Sequence, residues 1–258
     1  MRVVSVGFTP VKGMRHTSYD AVELDLSGPV GDRLFCLVDL ERRAVLRTVD
    51  HGPLLAVTHS WDGSSLGLSL PSGESVAATP VVSGESVVCD YWGRPVPLAL
   101  TDGPHAALLS SYLGKEVRLA AAPRGGVVYG APVSLVSTGS VRDLAERTGR
   151  DDLLGTASRF RMTVVVADDR PYAEDALIGR EVRLGDAVVR VEAPVARCAA
   201  IDRHPRTGEK DGSLLKLLAG YRPTTSGSPW FGVDARVVVP GTVRPDDLVG
   251  RAGPDTIR

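Results

Sequence analysis

Disulfide-forming capacity is the first thing this chain lacks. Its three cysteines, Cys36, Cys89 and Cys198, are odd in number and widely spaced, so no disulfide framework is implied. Three thiols also fall short of the four that an iron–sulfur cluster takes. Neither sign of charge is in excess. Lys and Arg number 30 against 31 Asp and Glu, which leaves no basic field for nucleic acid or a membrane surface. Long apolar runs are missing too. The N-terminus, Met1-Arg2-Val3-Val4-Ser5-Val6, is short and alternating, with no signal-peptide hydrophobic region, and no stretch approaches the length of a membrane span. These absences point to a soluble, reducing, cytoplasmic setting with no nucleic-acid or membrane partner.

Familiar catalytic spacings are absent as well. The histidines His16, His51, His59, His105 and His204 do not cluster, and neither His-Glu-x-x-His nor Cys-x-x-Cys occurs, so a zinc site is not expected. There is no Gly-x-Ser-x-Gly elbow and no Walker loop. Carboxylates are scattered, which gives no basis for a glycosidase-type pair.

What is present is period-two patterning in short Val-rich runs, punctuated by 28 glycines and 18 prolines. Runs such as Val3–Phe8, Arg33–Asp39, Val133–Ser137, Met162–Val166, Glu181–Leu184 and Ala187–Glu192 read as strands, and Leu54–Ser60 joins them. So many short strands predict a mainly β fold of sandwiches or barrels with a few short helices. Three helices are marked by their ends: Pro104–Leu113 stopping at Gly114, Val141–Thr148 with Ser140 as N-cap, and Leu214–Ala219 capped by Ser213. The Pro- and Gly-rich stretch 121–130 reads as a linker. It divides an N-terminal β-barrel-like domain, 1–122, from a C-terminal β-barrel, 123–258.

Several segments can carry chemistry. Arg197-Cys198 places a cation beside a thiol, which favours the thiolate, a soft metal ligand or a sulfur carrier; a lone strand cysteine is also often a small buried hydrophobe. Ser137-Thr138-Gly139-Ser140 leads into a helix whose first amides can take an anion, or whose caps are simply closed. In an extended chain Arg159, Arg161 and Thr163 share one face, a guanidinium clamp or a solvated edge. Lys12 and Arg33 sit at strand ends, where loops can aim them. Asp202 would share a strand face with Cys198 and is the one candidate acid. Cys36 and Cys89 read as core. The loop Ser213–Trp230 reads as a lid or a surface excursion.

Taken in order, Pro10-Val11-Lys12-Gly13, Gly31-Asp32-Arg33, Ala131–Ser137, Arg159-Phe160-Arg161, Arg197-Cys198, Thr207-Gly208-Glu209 and Phe231-Gly232-Val233-Asp234 resemble the MOSC-domain family. The likeness is to its members with an N-terminal β-barrel, such as the mitochondrial amidoxime-reducing components and their bacterial relatives. That resemblance implies a molybdopterin-type molybdenum cofactor with Cys198 as the metal ligand. Lys12, Arg33, Thr138, Gly139, Ser140, Arg161 and Thr163 would contact the cofactor. It further implies an oxidoreductase that reduces N-hydroxylated or N-oxide small molecules, fed by a ferredoxin or a flavin or cytochrome reductase. Two alternatives follow from the same cysteine. One is sulfur transfer through a Cys198 persulfide, independent of pyridoxal phosphate and supplied by a cysteine desulfurase; the other is a cofactor carrier without turnover. Where related reductases read Arg-Pro-Asn, this chain has Arg161-Met162-Thr163, a hydroxyl in place of an amide.

Overall fold

The computed structural model describes residues 1–252. Its architecture is mainly β, as the patterning predicts, and it centres on two sheet systems. The first is a closed barrel of Phe35–Asp39, Ala44–Val45, Val81–Tyr91, Arg94–Asp102 and Arg118–Ala121. Cys36 and Cys89 face its interior with Val38, Tyr91, Val96 and Leu98, which accounts for their type as small core residues.

The second system is a larger sheet. Its order runs Thr17–Tyr19, Val3–Phe8, Val164–Val166, Val133–Ser137, Ser228–Val239, Ala187–Ala196, Glu181–Leu184 and Val249–Arg251. Val133–Ser137 and Val164–Val166 are parallel and are joined across helix α2 (Thr138–Thr148); the other pairings named in this order are antiparallel. The valines that made these runs legible as strands form its core, including Val3, Val6, Val133, Val164, Val189, Val191 and Val233.

Strand pairing crosses the expected boundary at 122/123. Val3–Phe8 and Thr17–Tyr19 hydrogen-bond into the C-terminal sheet, and Val22–Asp25 pairs with Gly241–Val243. Val3–Phe8 and Thr17–Tyr19 extend the second sheet beyond Val164–Val166, with Val3 and Val6 in its core, while Val22–Asp25 and Gly241–Val243 belong to a small separate sheet; the barrel strands follow later in the chain. One correction concerns Leu54–Ser60. Pro53 starts a short 3-10 helix, Gly52–Ala56, and the strand begins only at Thr58.

The halves lock together where the Thr207-Gly208-Glu209 turn meets Gly52. Gly208 has φ +76°, and a Cβ there would lie 1.8 Å from the Gly52 carbonyl oxygen, so only glycine allows the contact. Arg203 braces the same seam by donating to Val49 O at 2.7 Å and Gly208 O at 2.9 Å. The remaining helices, α1 (His105–Leu113) and α3 (Leu214–Ala219), lie where the sequence places them. No helix among the described residues is long and apolar enough to cross a membrane.

Candidate functional site

A cleft of about 250 Å³ opens between the barrel and the large sheet. Lys12, Arg33, Tyr91 and Trp92 line it from the N-terminal half. Arg161, Thr163, Cys198 and Asp234 line it from the other.

Local backbone pairing brings the two N-terminal cations together. Lys12 N donates to Phe35 O at 2.8 Å, Phe35 N to Pro10 O at 3.0 Å and Arg33 N to Thr9 O at 2.7 Å, so Pro10–Gly13 is zipped alongside Arg33–Phe35. Arg33 pairs with the buried carboxylate of Asp32, which also accepts from Thr9 N. Arg161 arrives from the sheet side and donates to Met14 O at 2.6 Å. Arg33 and Arg161 both have left-handed backbone, with φ 45° and 54°. Such conformations are costly for residues with a Cβ and tend to gather at functional sites.

The cleft is over-supplied with positive charge. Lys12 makes no side-chain hydrogen bond or ion pair among the described residues; its ammonium lies 5.2 Å from the Tyr91 ring centroid. Burial, then Arg33 and Arg161, pull its pKa down from 10.5 to about 7. Burial and Arg33 likewise lower Arg161, to about 10. Three buried polar atoms facing this region, Arg33 Nε, Arg161 Nη2 and Tyr91 Oη, have no hydrogen-bond partner. Buried donors without acceptors are expensive, so the arrangement is matched to an anionic, acceptor-rich ligand.

Cys198 is exposed, unlike the other two cysteines. It follows the long strand Ala187–Ala196 and precedes a 3-10 turn, Ala199–Asp202. Its neighbour Arg197 turns the other way. The Arg197 guanidinium donates to Phe231 O and Phe160 O, both at 2.9 Å, and contacts Met162 Sδ at 2.7 Å. Arg197 therefore ties the cleft wall together, and burial lowers its pKa to about 10. Asp234 lines the cleft as well. Burial raises its carboxyl to about 6, against the opposing pull of the Ala131 amide, Arg197 and Arg33.

The sequence-predicted residues divide into two groups. Lys12, Arg33, Arg161, Thr163 and Cys198 are brought to one cleft. Thr163 holds the wall through reciprocal bonds with Ser134, its Oγ1 accepting from Ser134 N at 3.1 Å.

Thr138, Gly139, Ser140 and Asp202 do not line it. The helix begins at Thr138 with Ser137, not Ser140, as its N-cap. Gly139 N donates to Asp168 O at 2.8 Å, and Thr138 Oγ1 donates to the same carbonyl at 3.1 Å. Ser140 is fully buried and donates to the buried Glu174 carboxylate at 2.7 Å. Glu174 thus supplies the negative charge that this helix start attracts. Thr138 instead borders a second groove with Arg15, His16, Arg142 and Arg206. Asp202 fails as a cleft acid because the chain leaves the strand after Ala196; its carboxylate accepts from Leu215 N at 2.9 Å and caps α3.

Two further expectations are corrected. Arg159 and Arg161 do not share a strand face, because a 3-10 turn, Ala157–Phe160, precedes the left-handed Arg161. Arg159 instead binds Asp211 through two contacts, 2.7 and 2.8 Å. No residue of the loop Ser213–Trp230 lines the cleft; Tyr221 is bonded to Tyr172 and Trp230 to Thr225. Sequence reasoning missed Tyr91, Trp92, Tyr129 and Asp234 as site residues. Only the Phe231–Asp234 stretch carried a signal, through its place in the resemblance.

The profile of the MOSC domain matches residues 115–250. Molybdenum cofactor sulfurase of Drosophila grimshawi is 27% identical over 254 residues, covering 90% of this chain and 31% of that protein. The Caenorhabditis elegans molybdenum cofactor sulfurase is 26% identical over 234 residues, covering 85% of this chain and 31% of its own length. The chain therefore spans about a third of these relatives. Among solved structures, the YUAD protein of Bacillus subtilis aligns over 96% of this chain and 93% of its own, at 11% identity and a TM-score of 0.44. YiiM of Geobacillus stearothermophilus aligns over 48% of this chain and 55% of its own, at 19% identity and a TM-score of 0.36. The profile match covers more than half of the chain, including Arg161, Thr163, Cys198 and Asp234 but not the N-terminal wall of the cleft, and the protein belongs to the MOSC domain family.

Proposed function

We propose that the cleft binds a molybdopterin-type molybdenum cofactor and that the protein uses it to reduce N-hydroxylated or N-oxide small molecules. The observation that carries this reading is the cluster of Lys12, Arg33 and Arg161 around one exposed thiol, with Lys12 unpaired and each arginine keeping one buried donor free. The donor set fits the group. Arg33 Nε, Arg161 Nη2 and Tyr91 Oη are buried donors in want of acceptors, as a phosphate and a pterin would provide, and Cys198 is a soft ligand suited to molybdenum.

When bound, the cofactor supplies two-electron redox chemistry and an oxygen acceptor. The chain's own residues do the rest. Lys12 and Arg161 neutralise the anion, and their mutual repulsion is relieved as it enters. Arg197 fixes the Phe160, Met162 and Phe231 wall, which sets where Cys198 projects. Asp234, poised to titrate near neutrality, is the cleft group able to hold a proton at its carboxyl oxygen and pass it to a departing oxygen. Electrons would come from a ferredoxin or a flavin or cytochrome reductase, since Cys36 and Cys89 are buried in the barrel core and leave Cys198 as the one exposed thiol.

Purified from a molybdenum-replete host, the protein should carry molybdenum and reduce benzamidoxime with a chemically reduced viologen. Cys198→Ser should abolish reduction with the fold intact. A metal-free protein, or activity retained in that variant, overturns the reading.

A second reading is favoured by the exposure of Cys198 and by relatives described as molybdenum cofactor sulfurases. Here the Cys198 thiolate accepts a sulfane sulfur from a desulfurase persulfide, whose own cysteine leaves as thiolate. A mass increment of one sulfur, absent in Cys198→Ser, supports it; an unchanged mass removes it.

A further inference from the structure

Strands Val81–Tyr91 and Arg94–Asp102 reverse through two residues, Trp92 and Gly93, with φ 56° and 75°. A two-residue hairpin turn with both φ values positive is type I′, whose first position favours Asn, Asp or Gly. Tryptophan there is strained, and nothing in the core requires it, since Trp92 is 38% exposed. Strain of this kind points towards function.

Trp92 has two partners, each from a separate segment. Tyr129, in the connection between barrel and sheet, meets it edge-on with ring centroids 5.3 Å apart. Tyr129 is itself 58% exposed. Arg47, just after the strand Ala44–Val45, lies 4.6 Å from the Trp92 ring centroid. All three residues line the Cys198 cleft.

We propose that Trp92 and Tyr129, braced by Arg47, form a substrate-recognition wall that selects planar aromatic or heteroaromatic molecules over aliphatic ones bearing the same reacting group. The proposal rests on the cleft being the reaction site. Rigid, exposed rings offer a flat surface for offset stacking, which an aliphatic substituent cannot match.

Calorimetric titration of the molybdenum-loaded protein with benzamidoxime and acetamidoxime tests it. The aromatic probe should bind about tenfold more tightly than the aliphatic one. Trp92→Asn relieves the turn strain, so its thermal midpoint should rise while the aromatic preference disappears. Tyr129→Ala should reduce the preference as well, and molybdenum and pterin content should stay at the wild-type level in both variants. A merely structural Trp92 predicts the opposite for stability. Equal binding of the two probes, no binding of benzamidoxime, or an unaltered preference in Trp92→Asn overturns the wall. So does loss of cofactor in either variant, which would place the rings against the cofactor. Aromatic preference in binding without reduction by any donor would uphold the wall and sink the redox reading alone. Reduction without such preference would do the reverse.

Discussion

Two places in this molecule look like anion sites in the sequence, and the structure treats them in opposite ways. At the start of α2, Ser137, Thr138, Gly139 and Ser140 offer hydroxyls and amides, yet Asp168 and the buried Glu174 carboxylate already satisfy the ones that point inwards. In the cleft, Lys12 has no acidic partner, and Arg33 and Arg161 each keep a buried donor unpaired. A helix start is closed by its own chain whenever a carboxylate is in reach. The cation cluster, in which Asp32 pairs with Arg33 alone, keeps buried donors free for a ligand.

The sharpest way to break this contrast is to remove cleft cations. The double variant Lys12→Ala/Arg161→Ala should lower cofactor retention at least about a hundredfold, since each charge-assisted bond contributes roughly tenfold or more. Its thermal midpoint should change little, because relief of crowded like charges is offset by the Met14 carbonyl that loses Arg161. Retained pterin, measured by fluorescence after oxidation, reads the first effect; unchanged retention erases the distinction between the two regions. At the other region Ser140→Ala should cost about 1–3 kcal/mol of stability by stranding Glu174, with cofactor content unchanged. Chemical denaturation with metal analysis checks both halves of that statement.

A subtler effect concerns pH. The Lys12 pKa is about 7 in the folded chain against 10.5 ordinarily, so between these values the unfolded chain binds the extra proton. Stability of the cofactor-free protein should therefore rise with pH across that window. Lys12→Met should flatten the rise, and a wild-type curve with no slope beyond that variant's would contradict the unpaired lysine. The smallest effect belongs to Asp202→Ala, which should cost about 1 kcal/mol through loss of the α3 cap and leave cofactor content alone.

Much of this fold is legible in the residues. Val3–Phe8, Val133–Ser137 and Glu181–Leu184 are strands as patterned; Val133 and Leu135, and Val182 and Leu184, turn inwards at period two, while a bulge between Val3 and Ser5 brings Val3 and Val6 into the same core. Leu214–Ala219 is a helix bounded by its serine and glycine. The misreadings have physical causes. Arg159-Phe160-Arg161 alternates like a strand, but the chain turns there and holds Arg161 in a left-handed conformation that local pattern does not encode. Ser140 looks like a cap, but Ser137, three residues earlier, takes that role, which makes Ser140 an interior residue bonded to a distant Glu174. Lys12, Arg33, Arg161 and Cys198 are each ambiguous alone and point to one site only through the order they share with the resembled family, whereas Tyr91, Trp92 and Tyr129 join them only through tertiary packing.

The central claim is that this cleft holds molybdenum through Cys198. X-ray absorption at the molybdenum edge, on wild-type protein and on Cys198→Ser, tests it directly. The account predicts a sulfur-rich shell around molybdenum in the wild type and the loss of one sulfur scatterer in the variant. Identical sulfur shells in the two proteins, or a wild type without molybdenum, would contradict it.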